Sequence, residues 1–209
     1  MHTLFAFPYA CSQAVHVTLR QHQVPFEIAW VERGYARKIA GDGFAAVNPK
    51  RKVPALRLPD GELLTEAIAV LHHLDEAHAR GRSAAEGRRS LEWLSFVATE
   101  LHQQILGPLF DPDTPAAALP DLRDRVLPPV IEHLEATYSR RPTLLGGERP
   151  TGADAYALWA VLLLRLRWPE AVARPGLKAL RERMLGEPWV QEALQVELAQ
   201  RNAEAARAG

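Results

Sequence analysis

The 209-residue chain carries 25 basic and 25 acidic side chains and one cysteine. Balanced charge gives no electrostatic reason to bind nucleic acid or an anionic membrane, and a lone cysteine excludes an intrachain disulfide, a CxxC dithiol and a multi-cysteine zinc site. With 47% hydrophobic and 24% charged residues, the composition is that of an ordinary globular protein, forming one large domain or two small ones.

The opening MHTLFAFPYAC lacks a basic n-region, and Pro8 breaks its apolar stretch, so no export signal ending at Cys11 is expected. Thr3–Phe7 reads as a buried strand. The spacing of Val15, Leu19 and His22 predicts a helix over Ser12–Gln23, which Pro25 ends. Phe26–Val31 reads as a second strand, and Tyr35–Ala45 as a weaker helix. Pro54–Leu58 and Glu62–Leu64 flank Pro59-Asp60-Gly61, a turn sequence that predicts a hairpin. Glu66–Ala79 follows as a helix with Ile68, Leu71 and Leu74 on one side. The order βαβ, helix, ββα implies a small mixed sheet covered by helices on both faces.

Residues 81–87 are small and charged and read as a linker between a domain at 1–80 and a second at 88–209. Beyond it the pattern is helical, over Arg88–Leu106, Leu122–Tyr138, Gly152–Arg167, Gly176–Leu185 and Trp189–Gln200, with proline and glycine between. The tail after Gln200 reads as frayed. The longest apolar run, Ala155–Leu164, has ten residues and suits a buried helix rather than a bilayer span. No membrane association is expected. The expected compartment is the cytoplasm, where a lone thiol stays reduced.

Cys11 lies between a strand and the opening of a helix. Free backbone N–H groups and the positive end of the helix dipole favour a thiolate there. An unperturbed thiol is only about 3% ionised at pH 7, and lowering its pKa to about 6.5 requires roughly 2.7 kcal/mol. The dipole supplies about 0.3–1 kcal/mol, so hydrogen bonds or a cation must add the rest. The competing reading is a buried, inert cysteine. Pro54 opens a strand, where proline is tolerated. A trans bond without a role is one reading. A cis Val53–Pro54 bond, turning the Val53 backbone outward to pair with an extended peptide, is the other. Thr65 fits a helix N-cap. A helix N-terminus also receives carboxylates, and Glu66 adds a charge able to hold an amine. His102 lies on a small, polar helix face with Ser95, Ala98 and Thr99, apart from the apolar stripe of Trp93, Phe96, Val97 and Leu101. That face suits a site or plain solvent. His72 and Glu76 are spaced i, i+4 without a third ligand, so no metal site is expected. Thr151 and Asp154 form a capping pattern with a folding role.

In its order of strand, PYACS, helix, NPKRKVPAL, hairpin and LLTEAIAV, the chain resembles the thioredoxin-like domain of glutathione S-transferases. EWLSFVATELHQQI, LFDPDTP and TGADAYAL are similar to the bacterial beta class, and the resemblance spans almost the whole chain. It implies an α/β N-terminal domain followed by an all-α domain, with glutathione as co-substrate. It also implies a small electrophile as the second substrate, a detoxifying role and a homodimer. It matches Cys11 to the cysteine that meets the glutathione sulfur. Val53 and Pro54 match the cis-proline pair that binds the cysteinyl part, in the run that also holds Lys52. Glu66 and Ala67 match the pair at the γ-glutamyl end, and His102, followed by Gln103, matches a histidine of the helical domain that reaches the site. Departures stand at Gln103 (often lysine), Ala67 (serine or glycine), Ser95 (asparagine) and Tyr9 (glycine), and a loop lysine finds only Arg37 or Lys38.

Two other functions fit the same residues. One is a non-catalytic, regulatory member of the fold, suggested by the departures. The other is a glutaredoxin-like thiol transferase working through a mixed disulfide on Cys11, since one cysteine cannot form an internal dithiol.

Overall fold

The computed structural model describes residues 1–32, 42–78 and 83–208. They divide into two compact units, Met1–Arg80 with Gly186–Gly209, and Gly81–Leu185.

The first unit contains β1 (His2–Ala6), α1 (Ser12–Gln21), β2 (Phe26–Trp30), β3 (Ala55–Arg57), β4 (Leu63–Thr65), α2 (Ala67–His78) and the C-terminal helix Pro188–Ala208. The sheet order is β2-β1-β3-β4. β1 pairs parallel with β2 and antiparallel with β3, which pairs antiparallel with β4. Period-two alternation puts Leu4 and its partner Leu56 on one face, both fully buried. Phe5 and its partner Ala55 face the other way, into a cluster with Phe7, Val31 and Phe44. The hairpin forms at the expected turn. The Asp60 carboxylate accepts from the Glu62 amide at 3.0 Å, and Gly61 takes φ 95°, a conformation open to glycine.

Helix α1 packs against both α2 and the C-terminal helix. Every residue from Ser12 to Leu19 is therefore buried, polar ones included. Buried polar groups need partners. Ser12 Oγ donates to the Phe7 carbonyl at 3.1 Å, and Thr18 Oγ1 donates to the Ala14 carbonyl at 2.8 Å. Gln13 and His16 both reach Glu197 of the C-terminal helix, a carboxylate with no solvent exposure. Arg20 Nε donates to His16 Nε2 at 2.9 Å, so His16 presents Nδ1 to Glu197 at 3.2 Å.

The helical unit contains α3 (Ala84–Phe96), α4 (Leu127–Tyr138), α5 (Gly152–Arg167) and α6 (Pro175–Leu185). Helix α3 continues into a π-helical stretch, Val97–Leu106, and a shorter one, Leu122–Val126, leads into α4. The Thr151–Asp154 capping pattern forms as its spacing implies. One carboxylate takes the Thr151 amide and hydroxyl, the Leu144 amide and the Tyr138 hydroxyl, at 2.8–3.0 Å. Burial pushes the Asp154 pKa up against these four donors.

Four readings change. The 81–87 linker is too long: Ser83 caps α3, accepting from the Glu86 amide at 3.2 Å while its own amide donates to the Glu86 carboxylate at 2.8 Å. The C-terminal helix groups with residues 1–80 instead of the helical unit, because Glu197 answers buried polar groups of α1. It continues through Ala208 instead of fraying after Gln200. Thr65 ends β4 and does not cap α2; the Glu66 carbonyl accepts the first helical bond, from Val70 at 3.0 Å. The predicted helix Tyr35–Ala45 falls mostly outside the described residues; Asp42–Phe44 is a short 3₁₀ turn.

Removing Glu197 leaves the buried donors of Gln13 and His16, and the Tyr9 amide, without their acceptor, and each unsatisfied buried polar group costs about 1–3 kcal/mol. Glu197→Ala is expected to lower stability by that order, and Glu197→Gln, which keeps an acceptor, by less. Urea unfolding of the two variants checks this; a wild-type midpoint for Glu197→Ala refutes it.

Candidate active site

The site begins at the turn between β1 and α1. Ser12 closes it, accepting from the Phe7 amide at 3.3 Å while donating to the Phe7 carbonyl. Tyr9 sits at φ 59°, a left-handed conformation suited to glycine. It holds this conformation because its amide donates to Glu197 at 2.7 Å and the Arg201 guanidinium lies 5.4 Å over its ring. Glu197 therefore grips the chain on both sides of Cys11, at Tyr9 and at Gln13.

Cys11 is 8% exposed, and its Sγ donates to the Val53 carbonyl at 3.3 Å. The Val53–Pro54 bond is cis. Asn48, itself buried, shapes the preceding loop. Its Nδ2 donates to the Lys52 carbonyl at 2.8 Å, and its Oδ1 accepts from the Lys50 amide at 3.1 Å. Arg51 takes φ 53° in the turn so formed. Lys52 itself is exposed.

The expected thiolate is not what this geometry stabilises. Burial pushes the Cys11 thiol up to about 12, with the charge of Glu66 acting the same way. The amides of Cys11 and Ser12 and the charge of Lys52 pull it down, as a helix start should, but they lose to desolvation. The resting group is a neutral thiol donating to a carbonyl.

Across the hairpin, Glu66 takes φ 74° at the junction of β4 and α2. A non-glycine residue in this region costs on the order of 1–3 kcal/mol and persists where its surroundings impose it. Its side chain is exposed and paired with Lys50 Nζ, which also donates to Thr65 Oγ1 at 2.7 Å. Two oxygens thus already bind a primary ammonium here. Ala67, largely buried, opens α2, where backbone amides lack helical acceptors and can receive a carboxylate.

Cys11, Lys52, Val53, Pro54, Glu66 and Ala67 all belong to the first unit. His102 and Gln103 belong to the helical unit, in the π-helical stretch Val97–Leu106. Gln103 is exposed. His102 Nδ1 lies 2.6 Å from the Tyr156 hydroxyl, and its ring meets Trp159 edge-on at 4.8 Å. Arg37 and Lys38 lie outside the described residues. Asn48, Lys50, Tyr156 and Glu197 do not stand out in the sequence. The Asn48-Pro49 dipeptide, a turn-favouring pair, is the signal that could have marked one of them.

A family model for the glutathione S-transferase N-terminal domain matches residues 10–77. The chain is similar to the glutathione S-transferase GstA of Escherichia coli O157:H7, with 39% identity over 207 residues, covering 93% of this chain and 98% of that protein. It is similar in structure to a glutathione transferase from Methylococcus capsulatus strain Bath, at TM-score 0.82 and 32% identity over 94% of this chain and 98% of that one. A sphingomonad glutathione S-transferase solved with glutathione gives TM-score 0.78 and 31% identity over 93% and 98% of the two chains.

A thiol with a pKa near 12 has a thiolate fraction that rises tenfold per pH unit throughout the neutral range. Alkylation of Cys11 in the folded protein by iodoacetamide, followed by mass, is expected to be slow at pH 7 and to climb with that slope to pH 9. A plateau near neutrality refutes the neutral thiol.

Proposed function

Because this chain belongs to the glutathione S-transferase family, we propose that it conjugates glutathione to small electrophiles, with glutathione's own sulfur as the nucleophile. The observation that carries this is the Cys11 thiol set against the Val53 carbonyl beside cis-Pro54, with Glu66 and Ala67 at the next helix start.

In this reading the Val53 backbone takes the cysteinyl part of glutathione. The Ala67 amide receives the carboxylate of the γ-glutamyl end, and the Glu66 carboxylate holds its amine. The loss of a serine hydroxyl at Ala67 leaves that amide in place. Lys52 adds positive charge near the anionic tripeptide. The glutathione sulfur sits where the Cys11 and Ser12 amides already favour negative charge on Cys11 Sγ. The Cys11 thiol, being neutral, turns its hydrogen toward that sulfur and stabilises it as thiolate. The thiol proton of glutathione leaves to solvent. The sulfur pair then forms a thioether, either expelling a leaving group as its anion or adding to an activated double bond whose resulting carbanion takes a proton from solvent.

This arrangement disfavours the glutaredoxin-like alternative, because the thiolate is the attacking form in disulfide exchange and Cys11 is held protonated. A homodimer, a cytoplasmic location and a detoxifying role belong to the proposal. Among the described residues no helix is long and apolar enough to cross a membrane.

Removing one hydrogen bond to a charged sulfur costs about 1.5–3 kcal/mol, or roughly ten- to a hundredfold. Cys11→Ala is expected to lower kcat/KM for conjugation of an aromatic halide by that factor and to retain binding to immobilised glutathione. Glu66→Gln is expected to raise KM for glutathione with a smaller effect on kcat. Absence of any glutathione-dependent conjugation in the unmodified protein overturns the proposal and favours a binding module.

A further inference from the structure

We propose that Tyr156 is a positioning residue that fixes the tautomer of His102, leaving its proton on Nε2 so that the ring serves as a hydrogen-bond donor and not as a base. The mechanistic consequence rests on the reading of His102 as a site residue; the tautomer does not.

Several observations converge on this pair. Tyr156 is 1% exposed, so its hydroxyl has no access to bulk water. That hydroxyl lies 2.6 Å from His102 Nδ1, a short hydrogen bond. The imidazole meets the Tyr156 ring at 5.9 Å and 79°, and the Trp159 ring at 4.8 Å and 77°. Tyr156 and Trp159 are spaced i, i+3 on α5, so both rings rise from one face of that helix. They meet the imidazole edge-on. The helix under them is fixed at its first turn by Asp154, two residues before Tyr156, through four hydrogen bonds to buried partners. His102 is itself carried on π-helical backbone, a geometry that is rare and concentrates at functional sites.

The direction of the hydrogen bond follows from acidity. A phenol is a stronger acid than a neutral imidazole N–H, and an imidazole lone pair is a stronger base than a phenol oxygen. The favoured arrangement is therefore O–H donating to Nδ1. Neutral imidazole carries one ring proton, which then sits on Nε2. A histidine in that form donates to a thiolate or to a developing anion, and it takes no proton at Nε2.

The test is nitrogen NMR of the full protein labelled with ¹⁵N-histidine, recorded at about pH 8, where an unperturbed imidazole with pKa about 6.5 is neutral. The His102 signals are assigned by their loss in His102→Gln. The expected wild-type pattern is a pyridine-like Nδ1 coupled to a pyrrole-like Nε2, and a mixture of tautomers in Tyr156→Phe. In the same variant kcat is expected to fall about five- to tenfold, the worth of one neutral hydrogen bond, with the KM for glutathione nearly unchanged. A pyrrole-like Nδ1 in the wild type overturns the proposal even if Tyr156→Phe fails to fold. An unaltered tautomer in Tyr156→Phe overturns it equally. Full activity in His102→Gln removes the site role of His102, while the spectra still decide the tautomer.

Discussion

Glu197 belongs to the last helix, yet its oxygens are taken up by the first. They accept from the Tyr9 amide and Gln13 and meet His16, all within 3.2 Å, with no solvent exposure on the carboxylate. A buried carboxylate is tolerated only when paired and hydrogen-bonded. That requirement explains why α1, a helix buried along its length, can carry polar residues toward the C-terminal helix. It also explains the turn that carries the cysteine. Tyr9 adopts a glycine-like conformation because its amide has a carboxylate to meet, and Ser12 closes the same turn from the other side.

The state of Cys11 shows how magnitudes decide between opposing effects. The start of a helix favours a thiolate by about 1 kcal/mol or less, and the Cys11 and Ser12 amides and Lys52 add to it. Burial acts the other way and is larger. The consequence for chemistry is a division of labour. Donors that favour a negative sulfur stand beside a cysteine that is itself held neutral, and the proposed function assigns that negative charge to the sulfur of glutathione.

Much of the architecture was legible in the residues. The strands of the first unit and the hairpin around Asp60-Gly61 follow from alternation and turn chemistry. The α5 cap follows from Thr151 and Asp154. The motif residues Cys11, Val53, Pro54, Glu66 and Ala67 are local to strand ends and helix starts, and the Cys11 thiol meets the Val53 carbonyl beside a cis Pro54. The residues that hold them were less legible. Asn48 acts through hydrogen bonds to its own loop, and Tyr156 through a contact 54 residues away in sequence. Glu197 acts across more than 180 residues, and on its own helix it looks like any solvated acid.

The sequence by itself determined the order of elements, the single cysteine at a helix opening and the family to which the motifs belong, because periodicity, capping and turn preferences act over a few neighbouring residues. The tertiary structure alone decided that the last helix joins the first unit, that Tyr9 takes a glycine-like backbone conformation, and that Cys11 rests as a thiol. Those outcomes depend on burial and on long-range hydrogen-bond partners. Desolvation of a sulfur or a carboxylate is set by everything packed around it, which no local stretch of chain contains.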